Sequence, residues 1–393
     1  MKRFLLITGF VLLFAAEILR VYFIMPFPGS QYNNTIDVAY WLNNNIWWIR
    51  ILALVLLVFP LLSLFNNGKK WQKITVALFL IFYAVIFFFF NFRFEADKMF
   101  YQPGNKQFSS ADDTTIHKDK LVIGVAINGE AKAYPIQLIG YHHQVRDTVG
   151  GTPVMVTYCT VCRTGRVYSP YVNGKPEIFR LVGMDHFNAM FEDATTKSWW
   201  QQATGIAVTG TLKGSSLPEI PSQQITLSGW LQEHPGSLVM QPDTVYKEKY
   251  KSLADYDKGT IEGDLEHRDS GSWKMKSWVI GVQQSDTAKA YDWNELLQKT
   301  VIQDSLPGLP LLLTAAKDSA SFYVLNRRIN GIVLHFKKEN GTTLIDSNTS
   351  SLWALSGLCT EGESKGQQLK TVQAYQEFWH SWKTFHPGTK IYK

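Results

Sequence analysis

Apolar positions follow two regimes along this chain. Through residue 92 they run almost unbroken, and beyond residue 120 they come in short strings cut by Gly, Pro and Asn. In the first regime three stretches stand out, 4–25, 46–65 and 74–92. Each is close to the ~20 residues that cross a hydrocarbon core, where only a helix satisfies its own backbone. In the second regime 121–127, 153–158, 178–182 and 206–212 read as short strands rich in Val and Ile. Asn128-Gly129 and Asn173-Gly174 are hairpin-turn signals. Segments 227–233 and 372–385 read as amphipathic helices, each stopped by His-Pro-Gly.

The strand-rich part repeats itself. Residues 122–174 align without a gap to 279–331, a shift of 157. Val-Ile-Gly-Val opens both copies, and Ala-Lys-Ala-Tyr follows in both. Downstream, Asp193, Thr196, Ser198 and Trp200 match Asp346, Thr349, Ser351 and Trp353 at a shift of 153. Trp230 and His234-Pro235-Gly236 match Trp382 and His386-Pro387-Gly388 at a shift of 152. The pattern predicts an α+β protein: an N-terminal three-helix transmembrane module (1–94), then two tandem β-rich repeat domains. A connector covers 95–119, the first repeat domain 120–243, a linker 244–274, and a degenerate second repeat domain 275–393. Two copies at this spacing suggest duplication, since a solenoid uses shorter units and more of them.

Charge orients the membrane module. Lys2 and Arg3 precede the first span, and Lys69, Lys70 and Lys73 lie between the second and third. The link 26–45 has neither Lys nor Arg. The positive-inside rule puts the N-terminus in the cytoplasm and both repeat domains on the periplasmic or extracellular side. Ala15-Ala16 also resembles a signal-peptide cleavage site, which would remove the first span and leave that side unchanged. Glu17 and Arg20, three apart, are expected to pair on one helix face, with Arg20 reaching for the interface. The net charge of +6 includes no long basic run, so the bilayer is the expected partner and nucleic acid is not.

What both copies keep points to fold; what one copy keeps alone points to chemistry. Cys159 and Cys162 are private to the first copy and fall on Ala316 and Ser319 of the second. His142-His143 are private too, as are the longer loop Gly183-Met184-Asp185-His186-Phe187-Asn188 and Met190 beside it. The paired Trp, Asp and helix-stop His residues occur twice and read as structural. The C-x-x-C follows a strand, and Gly165 and Pro170 come soon after, so no helix N-terminus activates it as in thioredoxins. Arg163 and Arg166 are placed to favour a thiolate.

Three chemistries fit the cysteines. They form a catalytic thiol–disulfide pair, or half of a soft-metal site, or a structural disulfide in a non-enzymatic binding or scaffolding module. For a soft metal such as copper the candidate ligands are Cys159, Cys162, His143, Met184 and His186. The corresponding partners are a protein thiol, a metal or a small molecule. A complete zinc knuckle is not present, because the third cysteine, Cys359, is isolated.

Val154-Met-Val-Thr-Tyr-Cys-Thr-Val-Cys162 resembles the Tyr-Cys-x-x-Cys signature of a bacterial family catalogued as domain of unknown function thirty-one seventy-nine. Tyr134-Pro135, His142, Asp147 and Gly150-Gly151 resemble its lead-in; Asn188, Asp193, Thr196 and Trp200 its central stretch; Trp230 and His234-Pro235 its close. Thr160 stands where the family has Pro, and Gln144-Val145-Arg146 where it is more acidic. The resemblance implies a fold unit and a site around the cysteines, with no settled reaction. Arg163 and Asn188 are the candidates to hold a cofactor there.

Overall fold

A computed structural model describes residues 1–393. It is an α+β chain with three long apolar N-terminal helices and a β-rich remainder in several sheets. The chain divides into two compact units. One is Met1–Tyr101 with Glu177–Gln201 and Ile206–Ser216; the other is Gln102–Pro176, Gln202–Gly205 and Leu217–Lys393. Part of the segment expected within the first repeat domain therefore groups with the helices.

In the first unit, α1 (Lys2–Tyr22), α2 (Ile36–Asn67) and α3 (Lys70–Phe92) are each long and apolar enough to cross a membrane. Of α3 only Val76 is buried, while Leu78, Phe79, Ile81, Phe82 and Val85 are exposed, as suits a lipid-facing helix. Helix α2 begins ten residues before the expected span. The Asn43–Asn44–Asn45 run interrupts hydropathy without breaking the helix. Its first turns leave the apolar run to pack on protein: Tyr40 meets Trp199 edge-on at 5.1 Å, and Asp37 pairs with Lys213 at 2.9 Å.

Glu17 and Arg20 do not pair with each other, contrary to their spacing. Glu17 takes a two-pronged bond from Arg50 of α2, at 2.7 and 2.8 Å, plus bonds from Tyr83 and Asn91 of α3. Arg20 binds Glu95 at 2.7 Å and Asn91 at 2.9 Å. Buried carboxylate and guanidinium groups need full pairing, and a partner on another helix reaches the bundle interior where an i+3 neighbour does not. This network ties all three helices together.

The same unit holds a four-stranded antiparallel sheet in the order Ala207–Thr209, Trp199–Gln201, Asn188–Asp193, Phe179–Asp185. The hairpin between its last two strands grips the link that follows α1. Met184 N–H donates to the Ile24 carbonyl at 2.7 Å, and Phe187 N–H to Gln31 Oε1 at 3.2 Å. A Cβ at Gly183 would lie 2.3 Å from the Ile24 oxygen, so that approach requires glycine.

In the second unit the strand pairings recur at the sequence shift. Val122 faces Pro135 and Ile225; Val279 faces Asp292 and Glu377. Gln144 faces Thr157 as Val301 faces Thr314. Gly124 and Gly281 lie under the tryptophans of the short helices Leu227–Glu233 and Trp379–Phe385. An added Cβ would come within 2.3 Å of Trp230 and 2.2 Å of Trp382. The expected helix over 372–385 is half strand: Ala374–Phe378 pairs with Trp278–Gln284 before the helix starts at Trp379. An open sheet edge outweighs helical spacing there. Asn128-Gly129 and Asn173-Gly174 have positive φ at both residues, as their turn requires.

Candidate thiol site

Cys159 ends the strand Thr152–Cys159, and Thr164, its ladder partner, begins the next. Four residues close the turn between them. Arg163 has φ 53 and donates its N–H to the Thr160 carbonyl at 3.3 Å. Neither cysteine is in a disulfide and neither has exposed surface, so the bridge of the scaffold reading is not formed. The two side chains are hydrogen-bonded to each other, and Ser381 also bonds Cys162. Burial, then the bond and charge of Cys159, push the Cys162 thiol well above its ordinary pKa; Ser381 and the Lys276 ammonium pull the other way.

Every carbonyl between the sulfurs is held from outside the first copy. Tyr256 Oη donates to Thr160 O at 2.8 Å. Val161 O meets Lys276 Nζ at 2.8 Å and His380 Nε2 at 3.1 Å. Phe378 N–H donates to Cys162 O at 3.0 Å. Burial and the nearby Lys276 charge push His380 down to about 3, so its ring is neutral at pH 7. Lys276 is itself lowered by burial, against the opposing pull of both cysteines.

The hydrogen-bond donors of both arginines engage other groups. Arg163 spends its donors on Gln376 Oε1, at 2.9 Å, and on the Tyr256 and Asp257 carbonyls, and its guanidinium lies 3.7 Å from the Trp278 ring centre. Arg166 pairs with the buried Glu377 at 2.6 Å, and Thr164 Oγ1 donates to the same oxygen at 2.7 Å. Glu377 Oε2 accepts from Ser381 Oγ at 2.8 Å. The cation beside the sulfurs is Lys276, which sequence spacing did not single out.

The residues named as soft-metal ligands are divided between the two compact units. No group of three or more His, Cys, Asp or Glu side chains is arranged to hold a metal ion. His143 sits at the left-handed cap of the helix Ile136–His142, with Nδ1 on the Tyr158 carbonyl at 3.0 Å. Thr300 occupies the same cap in the second copy, so the position is architectural. Burial lowers His143 to about 4. Met184, His186 and Asn188 belong to the other unit. There Asn188 is buried opposite Asp185, and His186 Nδ1 meets Asp185 Oδ1 at 2.7 Å, which raises the imidazole pKa.

Sequence reasoning missed Lys276, Glu377, His380 and Ser381. A signal existed in the opposite direction of the same comparison. At the repeat register these four replace Asp119, Ile225, Ser228 and Gly229 of the first copy. The first copy's private loop meets the second copy's private residues.

Fold and site together define a class: an apolar three-helix module joined to a β-rich region with a buried dithiol. The chain belongs to the family described as Protein of unknown function (DUF3179), which matches residues 102–389. No curated protein and no solved structure matches it.

Proposed function

We propose that this is a membrane-anchored extracytoplasmic protein whose Cys159–Cys162 pair carries out thiol–disulfide exchange. The observation behind this reading is the pair itself: two mutually hydrogen-bonded thiols, not bridged, among private polar residues of the second copy. A thiolate from the pair attacks a substrate disulfide, giving a mixed disulfide and releasing one substrate thiolate. The other cysteine then attacks the mixed disulfide. The products are a Cys159–Cys162 disulfide and the fully reduced substrate, with two electrons transferred. Lys276, whose charge acts on both sulfurs, stabilises the negative sulfur as it forms, whichever cysteine makes the first attack. The soft-metal reading is less supported, since no group of three His, Cys, Asp or Glu side chains is arranged to hold a metal ion.

The orientation rests on Lys2, Arg3, Lys69, Lys70 and Lys73 at one end of the helices. The opposite end, residues 24–40 after α1, packs on the sheet that contains Phe179–Asp185. A reporter fused after Lys393 is therefore expected to be active only outside the cytoplasm. For the chemistry, free thiols are titrated before and after incubation with oxidised glutathione. The full chain should lose two reactive thiols as an internal disulfide carrying no glutathione, whereas Cys159→Ser or Cys162→Ser should lose only one, trapped as a mixed disulfide with glutathione. Unchanged titration in the wild type rejects the exchange reading.

A further inference from the structure

The linker after the first copy crosses the sulfur loop. Beyond the short helix Lys247–Lys251 it has no helix or strand until Trp278. It is nonetheless fastened along its length. Gln137 Nε2 bonds the Tyr250 carbonyl at 2.8 Å, Lys120 Nζ bonds the Ala254 carbonyl, and Leu121 N–H donates to Asp257 Oδ2 at 3.0 Å. Tyr256, 1% exposed, then reaches Thr160 O, Glu266 bonds Thr160, and Lys276 reaches Val161 O. Two of the three loop carbonyls are thus held by this segment, and the sulfurs have no surface of their own.

The second copy shows the corresponding place uncovered. Its loop, with Ala316 and Asp318 for Cys159 and Val161, borders an open cavity of about 750 Å³. The same cavity is lined by Asp119, Ser228 and Gly229, which correspond to Lys276, His380 and Ser381 at the thiol site. The two arrangements use matching positions of loop, helix and entering strand. At one there is an empty cleft; at the other Tyr256, Glu266 and their neighbours lie over the loop.

We propose that residues 247–268 form a strap closed over a cleft whose floor carries Cys159 and Cys162, and that it lifts to admit a substrate disulfide while Lys276 stays beside the sulfurs. The second half of this statement rests on the exchange reading above. The strap is suited to lifting because it is tied by isolated side-chain bonds, whereas the strand Thr152–Cys159 beneath it is laddered on both sides. Opening frees Thr160 O, leaves Val161 O on Lys276 and His380, and uncovers the sulfur loop without breaking a strand pairing.

The test uses the full chain in detergent and iodoacetamide, with each cysteine read by peptide mass. Two variants loosen the strap: Tyr256→Ala over the loop, and Asp257→Ala at an anchor that does not touch the sulfurs. Each should speed alkylation of the Cys159–Cys162 peptide about tenfold, the order by which losing a buried hydrogen bond shifts an opening equilibrium. Cys359, buried in a separate cluster of the second copy, reports global unfolding and should stay unlabelled. In the wild type, hydrogen exchange should be faster across 252–268 than across 152–159. Equal alkylation in all three proteins overturns the strap. So does a wild-type linker that exchanges as slowly as the strand beneath it, whatever the variants do. Oxidised glutathione separates this from the exchange reading. Sulfurs that alkylate faster in the variants yet never exchange leave the strap standing and reject the chemistry. Exchange at one rate in all three proteins keeps the chemistry and rejects the strap.

Discussion

The loops Cys159–Thr164 and 316–321 have the same length, leave equivalent strands and face equivalent helices, yet one is a sealed polar nest and the other borders an open cleft. In the second copy Asp318 satisfies the turn locally, accepting from the Ala320 and Ser321 N–H groups and from two hydroxyls, Ser321 and Thr226. In the first copy the Arg163 N–H bonds Thr160 O within the loop, and the loop carbonyls also accept from the linker and the second copy. A self-contained turn can face solvent. A turn whose partners come from elsewhere holds its geometry only while those partners stay, which is what a gated site requires.

That contrast is most exposed at Glu377. Its carboxylate is the shared acceptor for Arg166, Thr164 and Ser381, and it stands where the first copy has Ile225. Glu377→Ala takes the close, buried partner from the Arg166 guanidinium and leaves it only Glu219, at 3.8 Å, a change that costs up to about 3–5 kcal/mol. Unfolding measured by chemical denaturation should show a loss of that order. The reciprocal change, Ile225→Ala, removes apolar contact without stranding a charge and should cost less. Equal losses would erase the proposed asymmetry between the two junctions.

Acid should also act through the thiol side. His143 and His380 have no imidazole counterparts, since Thr300 and Ser228 occupy their places. Their native pKa values, about 4 and about 3, lie below the ordinary 6.5. Between pH 6.5 and 4 the unfolded chain takes up protons that the folded chain refuses, so stability falls as pH falls through that window. His143 alone contributes about 3 kcal/mol to the loss. Melting temperature followed from pH 7 to pH 4 should drop, and the drop should be shallower in His143→Thr, which installs the second copy's residue. An identical slope in the variant would remove His143 from the account.

Much of this architecture was legible in the chain, for identifiable reasons. Apolar runs of membrane length need no partner to be recognised, and an Asn-Gly pair fixes its turn locally. The extra turns of α2 were hidden because Asn43–Asn45 and Asp37 look like a loop until Trp199 and Lys213 are brought beside them. The strand Ala374–Phe378 was hidden because its pairing partner, Trp278–Gln284, is remote in sequence. At the site, the cysteines stood out as a loss in one copy. Lys276 and Ser381 did not, because a single Lys or Ser carries no periodicity and gains meaning only from the sulfur next to it. Met184 and His186 fall in the other compact unit, a division that the private features of the sequence did not signal.

Where the copies agree, damage should be symmetric. Gly124→Ala and Gly281→Ala each drive a methyl into a tryptophan ring at 2.3 and 2.2 Å. Overpacking of this kind costs about 1–3 kcal/mol. Matching losses in the two variants, read by denaturant midpoint, would show that the sheet–helix packing is a shared frame and that the asymmetry is confined to the loops. A loss in one variant alone would extend the asymmetry into the frame.

The smallest expected effect isolates the sulfurs. Ser381→Gly installs the residue found at Gly229, removing one bond to Cys162 and one to Glu377. Two neutral or singly charged hydrogen bonds amount to about 1–3 kcal/mol in stability, partly recovered by relaxation. The informative reading is chemical. Ser381 lowers the Cys162 pKa, so its loss moves the thiol further above its ordinary value. In the Asp257→Ala background, where iodoacetamide reaches the pair, the pH profile of Cys162 alkylation should shift to higher pH when Ser381 is also replaced. Cys359, near neither group, should keep its profile. A stability loss with an unmoved Cys162 profile would mean that Ser381 serves Glu377 alone, and that the second copy supports the loop without tuning its sulfur.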